Sequence, residues 1–269
     1  IITKDQGGTI MLELILSGCN GRMGRVLEAL CADQPDLHIA AGFDVLGAAD
    51  RGFPVFSSPA ECTVSAQVVI DFSHPAALTG LLGYCVKRRL PVVLATTGYS
   101  EAQLLEIESA ARTIPVFRSA NFSLGINVLA KLARQAAQLL GEDFDIEIVE
   151  RHHNRKVDAP SGTALLLADA LSPALPYEPE YVWDRHAVRK PRERHEIGIS
   201  SIRGGTIAGD HEILFAGRDE WIELRHSAQS REVFASGALK AARFLAQCQA
   251  PGLYDMDDLL CHLQAPTEE

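Results

Sequence analysis

The chain has 269 residues, 47% of them hydrophobic and 22% charged, with a formal net charge of −10. That length can bury a large core and hold one or two domains. No run of about 18 apolar residues is present, which excludes a membrane-spanning helix, and the acidic balance offers no bulk attraction to nucleic acid. The six cysteines (Cys19, Cys31, Cys62, Cys85, Cys248, Cys261) are scattered, without a Cys-x-x-Cys pair. Neither disulfides nor a bound metal is therefore expected, and a reducing cytoplasm is the expected compartment.

Residues Ile1 to Ile10 precede Met11 and lack the charged-then-apolar pattern of a signal peptide. From Met11 strands and helices alternate. Leu12 to Leu16 reads as a buried strand, followed by Ser17-Gly18-Cys19-Asn20-Gly21-Arg22-Met23-Gly24 and a helix with Met23, Val26, Leu27, Leu30 and Cys31 on one face. A second strand, Leu37 to Phe43, ends at Asp44. Glycines at a strand-to-helix turn let a pyrophosphate approach the backbone, and an acid ending the next strand can hold ribose hydroxyls. This is a dinucleotide-binding pattern.

Further strands are expected at Val68 to Phe72, Val92 to Ala95 and Ile114 to Phe117, with Pro75 opening one helix and Ser100 with Gln103 forming a capping box for the next. Their carboxyl ends run into Phe72-Ser73, Thr96-Thr97-Gly98 and Ser119-Ala120-Asn121-Phe122, loops expected on the nicotinamide side of a parallel sheet. After Asn121 the pattern changes. A long helix carries Val128, Leu129, Leu132, Ala136, Leu139 and Leu140 as its apolar positions, and an alternating strand ends at Val149. Strands at Ile197 to Ile202, Glu212 to Phe215 and Trp221 to Leu224 follow, the last two as a hairpin around Gly217 to Glu220. Arg231 to Gln247 is helical again. The expected fold class is α/β, a Rossmann-type parallel sheet plus a second α+β domain with mixed sheet. Its expected division is 11–123 with 232–269 for the dinucleotide and 124–231 for substrate and assembly.

The chemistry is expected between that strand at Val149 and the apolar helix at Ala164. Glu150-Arg151-His152-His153-Asn154-Arg155-Lys156-Val157-Asp158-Ala159-Pro160-Ser161-Gly162-Thr163 holds two imidazoles and an ammonium, then a helix start. Imidazole exchanges protons near neutral pH, and the first N–H groups of a helix favour an anion that Gly162 lets approach. Three other features read as ordinary structure first. The cations Arg185, Arg189, Lys190, Arg192 and Arg194 suit a solvated loop, with a flap over an anionic ligand as the alternative. Arg203-Gly204-Gly205 and Gly209-Asp210-His211 read as turns between strands.

The run from Glu150 to Ala164, together with Gly18-x-x-Gly21-Arg22-Met23-Gly24, Ala95-Thr96-Thr97-Gly98, Ser119 to Ser123 and Arg203-Gly204-Gly205, resembles the 4-hydroxy-tetrahydrodipicolinate reductase family. The resemblance extends from Leu12 to about Leu260. It implies a Rossmann-type nucleotide domain completed by the C-terminal helix, and a central substrate domain whose sheet assembles a homotetramer. The implied activity is reduction of a small cyclic dicarboxylate by NAD(P)H, in the diaminopimelate route to lysine. His152 resembles the family's acid/base and Lys156 its proton donor. His153, Lys156, Gly162 and Thr163 match its dicarboxylate-binding positions. Gly18, Cys19, Asn20, Gly21, Arg22, Met23, Asp44, Ala95, Thr96, Thr97, Ser119, Ala120, Asn121 and Phe122 match its cofactor contacts. Two positions depart from the pattern. Ala95 stands where many relatives have Gly, and Val45 follows Asp44 where some carry a basic residue. NADH is therefore the expected preferred cofactor, with NADPH the alternative. Another NAD-dependent amino-acid dehydrogenase and a non-catalytic nicotinamide-nucleotide sensor are the competing readings, and neither needs the complete His-His-x-x-x-Lys loop.

Overall fold

The computed structural model describes residues 11–47, 51–186 and 188–264; the expectation about the first ten residues lies outside them. The chain forms two compact units, one running to Phe122 and resuming at Phe234, the other Ser123–Val233.

The first unit carries a seven-stranded sheet. Its elements are β1 (Leu12–Ser17), α1 (Arg22–Ala32), β2 (Leu37–Phe43), β3 (Val55–Phe56), β4 (Val68–Asp71), α2 (Leu78–Arg88), β5 (Val92–Leu94), α3 (Glu101–Ala111) and β6 (Pro115–Arg118). The strands pair in parallel, in the order β1 beside β2 and β4, then β5 beyond β4 and β6 beyond β5, with β3 outside β2. Helices on both faces explain why these strands read as unbroken apolar runs. Val69, Val92 and Val116 face Leu78, Leu81, Leu82, Ile107 and Ala110 of α2 and α3. The next residue along β6, Phe117, meets Phe244 edge-on, with ring centroids 6.1 Å apart. Alternate side chains of one strand thus fill opposite layers. The expected capping box is present at Ser100 and Gln103.

The second unit carries a mixed five-stranded sheet. Its elements are α4 (Leu124–Leu140), β7 (Asp145–His152), α5 (Gly162–Leu171), β8 (Glu180–Val182), β9 (Glu196–Arg203), β10 (Gly209–Ala216) and β11 (Trp221–Ala228). β7 is central, parallel to β9 and antiparallel to β10. β11 closes one edge and β8 the other. Ile146, Ile148, Ile199, Ile213 and Phe215 form a core with α4 and α5. The buried stripe of α4 differs from the expected one: Ile126, Leu129, Ala130, Ala133 and Ala137 face inward, while Val128, Leu132 and Leu139 are exposed. Alanines let a helix lie close against its neighbours, where a row of leucines would hold it away.

The chain then enters α6 (Glu232–Gln247), β12 (Gly252–Tyr254) and α7 (Met256–Gln264). β12 adds to the first sheet beside β6. Gly237 of α6 sits so close to Phe122 that a Cβ there would fall 1.6 Å from the Phe122 carbonyl oxygen. Among the described residues no helix is long and apolar enough to cross a membrane.

Candidate functional site

In the first unit the turn from β1 into α1 is shaped by two glycines. Gly18 has φ +78°, and a Cβ on it would lie 2.6 Å from the Phe72 carbonyl oxygen. A Cβ on Gly24 would lie 2.4 Å from the Cys19 carbonyl oxygen. Gly21 is the N-cap of α1, and no side-chain cap hydrogen bond is made there among the described residues. Asp44, just beyond β2, accepts backbone N–H bonds from Asn20 on Oδ2 and from Leu46 on Oδ1, both at 3.0 Å. Each oxygen keeps a second lone pair for a hydroxyl. A cavity of about 430 Å³ opens here, with Gly18, Asp44, Val45, Ser58, His74 and Leu81 in its wall. Exposed backbone at a helix start, a two-oxygen acceptor and a largely apolar recess fit the pyrophosphate, ribose and base of a dinucleotide.

The side chains of the expected contact residues diverge. Cys19 is fully buried, and burial pushes its thiol up to about 11, so only its backbone can meet a ligand. Arg22 is exposed and Met23 half-buried. Arg51 donates to the Cys19 carbonyl at 2.8 Å and to Asn20 Oδ1 at 3.2 Å, and pairs with Glu28.

At the ends of β4, β5 and β6 the expected loops lie side by side. Asp71, 1% exposed, binds the first two together: it accepts from Ser73 Oγ at 2.5 Å and Thr96 Oγ1 at 2.7 Å. Ala95 N donates to the Asp71 carbonyl at 2.9 Å. Ser119 Oγ bridges the Asn121 carbonyl and N–H. Thr97 and Ala120 are exposed and Asn121 is buried. Phe122 is buried against Phe117 at 5.8 Å, so its ring is core rather than a contact surface. Asp71 went unnoticed in the sequence because it lies inside an apolar strand.

In the second unit β7 runs three residues past the expected end, so Glu150 and His152 belong to the strand rather than to a loop. They continue the inward-facing set of Ile146 and Ile148. The apolar alternation breaks there only because two buried positions are polar. Glu150 is fully buried. Arg203, at the end of β9, grips it with both Nη atoms, at 2.8 Å to Oε2 and 2.7 Å to Oε1. Ser161 N donates to Oε1 at 3.1 Å, and His152 Nδ1 stands 2.6 Å from Oε2. Burial alone would raise this carboxyl, but the hydrogen bonds from Arg203 and His152 more than offset it and hold the group down to about 2.

His211, expected in a turn, is a buried member of β10. Its ring meets that of His152 edge-on at 5.2 Å, and its Nε2 lies 3.0 Å from Ser161 Oγ. Burial first, then the His152 charge, depresses its pKa to about 4. The loop after β7 is stitched to the β9–β10 turn by Gly204 N to the His152 carbonyl at 2.9 Å and His153 N to the Ile207 carbonyl at 2.8 Å. Lys156 Nζ lies 2.8 Å from Asp158 Oδ2. Ser161 caps α5 through Ala164 N at 3.1 Å, and a Cβ on Gly162 would meet open space. His152, His153, Lys156, Gly162 and Thr163 are thus gathered between the end of one strand and the start of one helix. Glu150, Arg203 and His211 are the members to which sequence reasoning gave no role.

The cationic segment meets carboxylates of its own sheet. Arg185 pairs with Glu196 and, at 2.6 Å, with Glu147, while Arg192 reaches Asp145 at 3.0 Å. Those partners anchor the segment to β7 and β9.

Residues 12–122 match the family described as dihydrodipicolinate reductase, N-terminus, and residues 125–260 match dihydrodipicolinate reductase, C-terminus. The 4-hydroxy-tetrahydrodipicolinate reductase of Caldanaerobacter subterraneus subsp. tengcongensis is 53% identical over 251 residues, 93% of this chain and 99% of the relative. That of Clostridium tetani is 48% identical over 251 residues, covering 93% and 98%. A dipicolinate-bound dihydrodipicolinate reductase from Paenisporosarcina sp. TG-14 has the same fold, with a TM-score of 0.76 at 23% identity over 91% of this chain and 98% of that one. With both family regions matched and about half of its residues shared along nearly its full length, this chain belongs to the 4-hydroxy-tetrahydrodipicolinate reductase family.

Proposed function

We propose that the chain reduces 4-hydroxy-tetrahydrodipicolinate to tetrahydrodipicolinate with NAD(P)H and loss of water, in the diaminopimelate route to lysine. The observation that carries this reading is the placing of His152 at the end of β7, Lys156 on the loop after it and the open start of α5 that follows. A nicotinamide cofactor is what the family's N-terminal region implies, and bound it supplies the hydride. NADH is our preferred form, because Asp44 offers ribose acceptors and its neighbour Val45 offers no cation. Gly18 to Met23, Asp44, Ala95 to Thr97 and Ser119 to Phe122 are our cofactor contacts, through backbone at Cys19 and Phe122.

On the substrate side, Lys156, His153 and the first turn of α5 at Gly162 and Thr163 bind the two carboxylates and orient the ring. His152 exchanges a proton at Nε2, since Nδ1 is engaged by Glu150, and Lys156 donates another. Residues 11–123 and 232–269 form the dinucleotide domain in this reading, and 124–231 the substrate and assembly domain. The open face of the mixed sheet, with Ile202 at 46% and Trp221 at 68% exposure, supports its burial in a homotetramer. The reading places the enzyme in the cytoplasm.

An assay with freshly formed substrate, following NADH absorbance, tests this directly. Rapid NADH oxidation that depends on the substrate is expected. Oxidation driven instead by simple keto acids with ammonia would favour an amino-acid dehydrogenase. NADH binding without turnover on either would favour a sensor.

A further inference from the structure

We propose that Glu150, clamped by Arg203, is the positioning residue that fixes the imidazole of His152 and reserves its Nε2 for the substrate. The inference rests on the reading above, in which His152 exchanges the proton. It begins from an expensive feature. A carboxylate with no exposure to water is costly unless every lone pair it presents is satisfied.

Every donor near this carboxylate points at it. Arg203 donates to both oxygens, Ser161 N to Oε1 and His152 Nδ1 to Oε2, and the Ser201 hydroxyl adds a further hydrogen bond. An ionised carboxylate only accepts, so Nδ1 must carry the hydrogen. That leaves Nε2 as the nitrogen that gives or takes a proton, and it prevents the ring from flipping. The Arg203 fork is in turn held by the Asp158 carbonyl at 2.7 Å, which ties the clamp to the loop bearing Lys156.

The neighbouring ring makes the arrangement selective. Among the described residues His211 has no carboxylate partner: its Nε2 faces the Ser161 hydroxyl. Two imidazoles in edge contact cannot both charge easily, and burial keeps His211 neutral down to about 4. The charged and titratable groups packed around His152 are therefore Glu150 from β7, Arg203 from β9, and His211 with Asp210 from β10. Among the described residues only Glu150 accepts from the His152 ring. Ser161 joins the two halves of the site, because its N–H meets Glu150 while its hydroxyl caps α5. A shift of the clamp would move the proton-exchanging ring relative to the anion-binding turn.

The test is a double-mutant cycle in the full-length protein, pairing Glu150→Gln with His152→Gln. Alone, Glu150→Gln should lower kcat by roughly 100-fold, with KM for substrate changed less than about threefold. In the His152→Gln background the same change should cost less than about threefold, because the ring it serves is gone. Equal losses in both backgrounds would overturn the inference, since a purely structural role does not depend on His152. If Glu150→Gln fails to fold, Arg203→Lys takes its place in the same cycle, keeping the charge and losing the fork. A His152→Gln protein with parental turnover would instead sink the reading of the site as a whole. A crippled His152→Gln beside a normal Glu150→Gln would sink this inference alone.

Discussion

Asp44 Oδ2 accepts the backbone N–H of Asn20 at 3.0 Å, so the acid beyond β2 also locks the glycine turn after β1. The carboxylate is held by backbone on both oxygens and cannot swing away from an adenosine ribose. With NADPH it would face a phosphate dianion at close range, and like charges there repel. Its neighbour Val45 is 85% exposed and brings no cation. Arg51 is committed to Glu28, Cys19 and Asn20.

NADH should therefore be preferred over NADPH by at least about tenfold in kcat/KM, the scale of one missing charge-assisted bond of roughly 1.5–3 kcal/mol. Val45→Arg should narrow the gap. Steady-state kinetics with both cofactors on both proteins measure it, and equal values in the parent would disprove the preference.

Replacing His152 with Gln should lower kcat by roughly 100-fold or more, the usual scale for a lost general acid–base. NADH affinity, followed by fluorescence titration, should change little. Near-normal turnover would remove the residue from the mechanism.

Pyridine-2,6-dicarboxylate, a flat ring with two carboxylates, should compete with substrate. Lys156 now pairs with Asp158, whose side chain is 54% exposed and easily exchanged for a ligand carboxylate. Lys156→Ala should weaken inhibition as well as catalysis, read as a rise in Ki. Unchanged inhibition of the variant would place the anion anchor elsewhere.

Acid should loosen the second unit through His211. Its folded pKa, about 4, lies below the usual value of 6.5, so the unfolded chain binds more protons between those values. The stability is complete above about pH 6.5 and is lost as pH falls towards 4, reaching roughly 2 kcal/mol by pH 5. His226, also lowered by burial, adds to the slope in the same direction. Urea midpoints at pH 7 and pH 5 should differ less in His211→Gln than in the parent. An identical difference in both would show that another group titrates.

Much of this protein was legible in one dimension. The alternation from Leu12 to Phe117, the glycine turn ending near Gly24, Asp44 and the Ser161 cap are local patterns, set by residues within a few positions of one another. The short strands β3, β8 and β12 were not, because two or three residues carry no period and form only where a neighbouring strand supplies partners. The inner half of the site escaped for a related reason. Glu150 and His152 occupy inward positions of β7, where polar residues interrupt the apolar rhythm that marks a strand. Arg203 lies 53 residues further along the chain and Ser161 to His211 spans 50. Their meeting depends on β9 and β10 flanking β7, and no local spacing encodes that. Sequence alone thus determined which residues could do proton chemistry; pairing of distant strands decided which of them a buried carboxylate would hold in place.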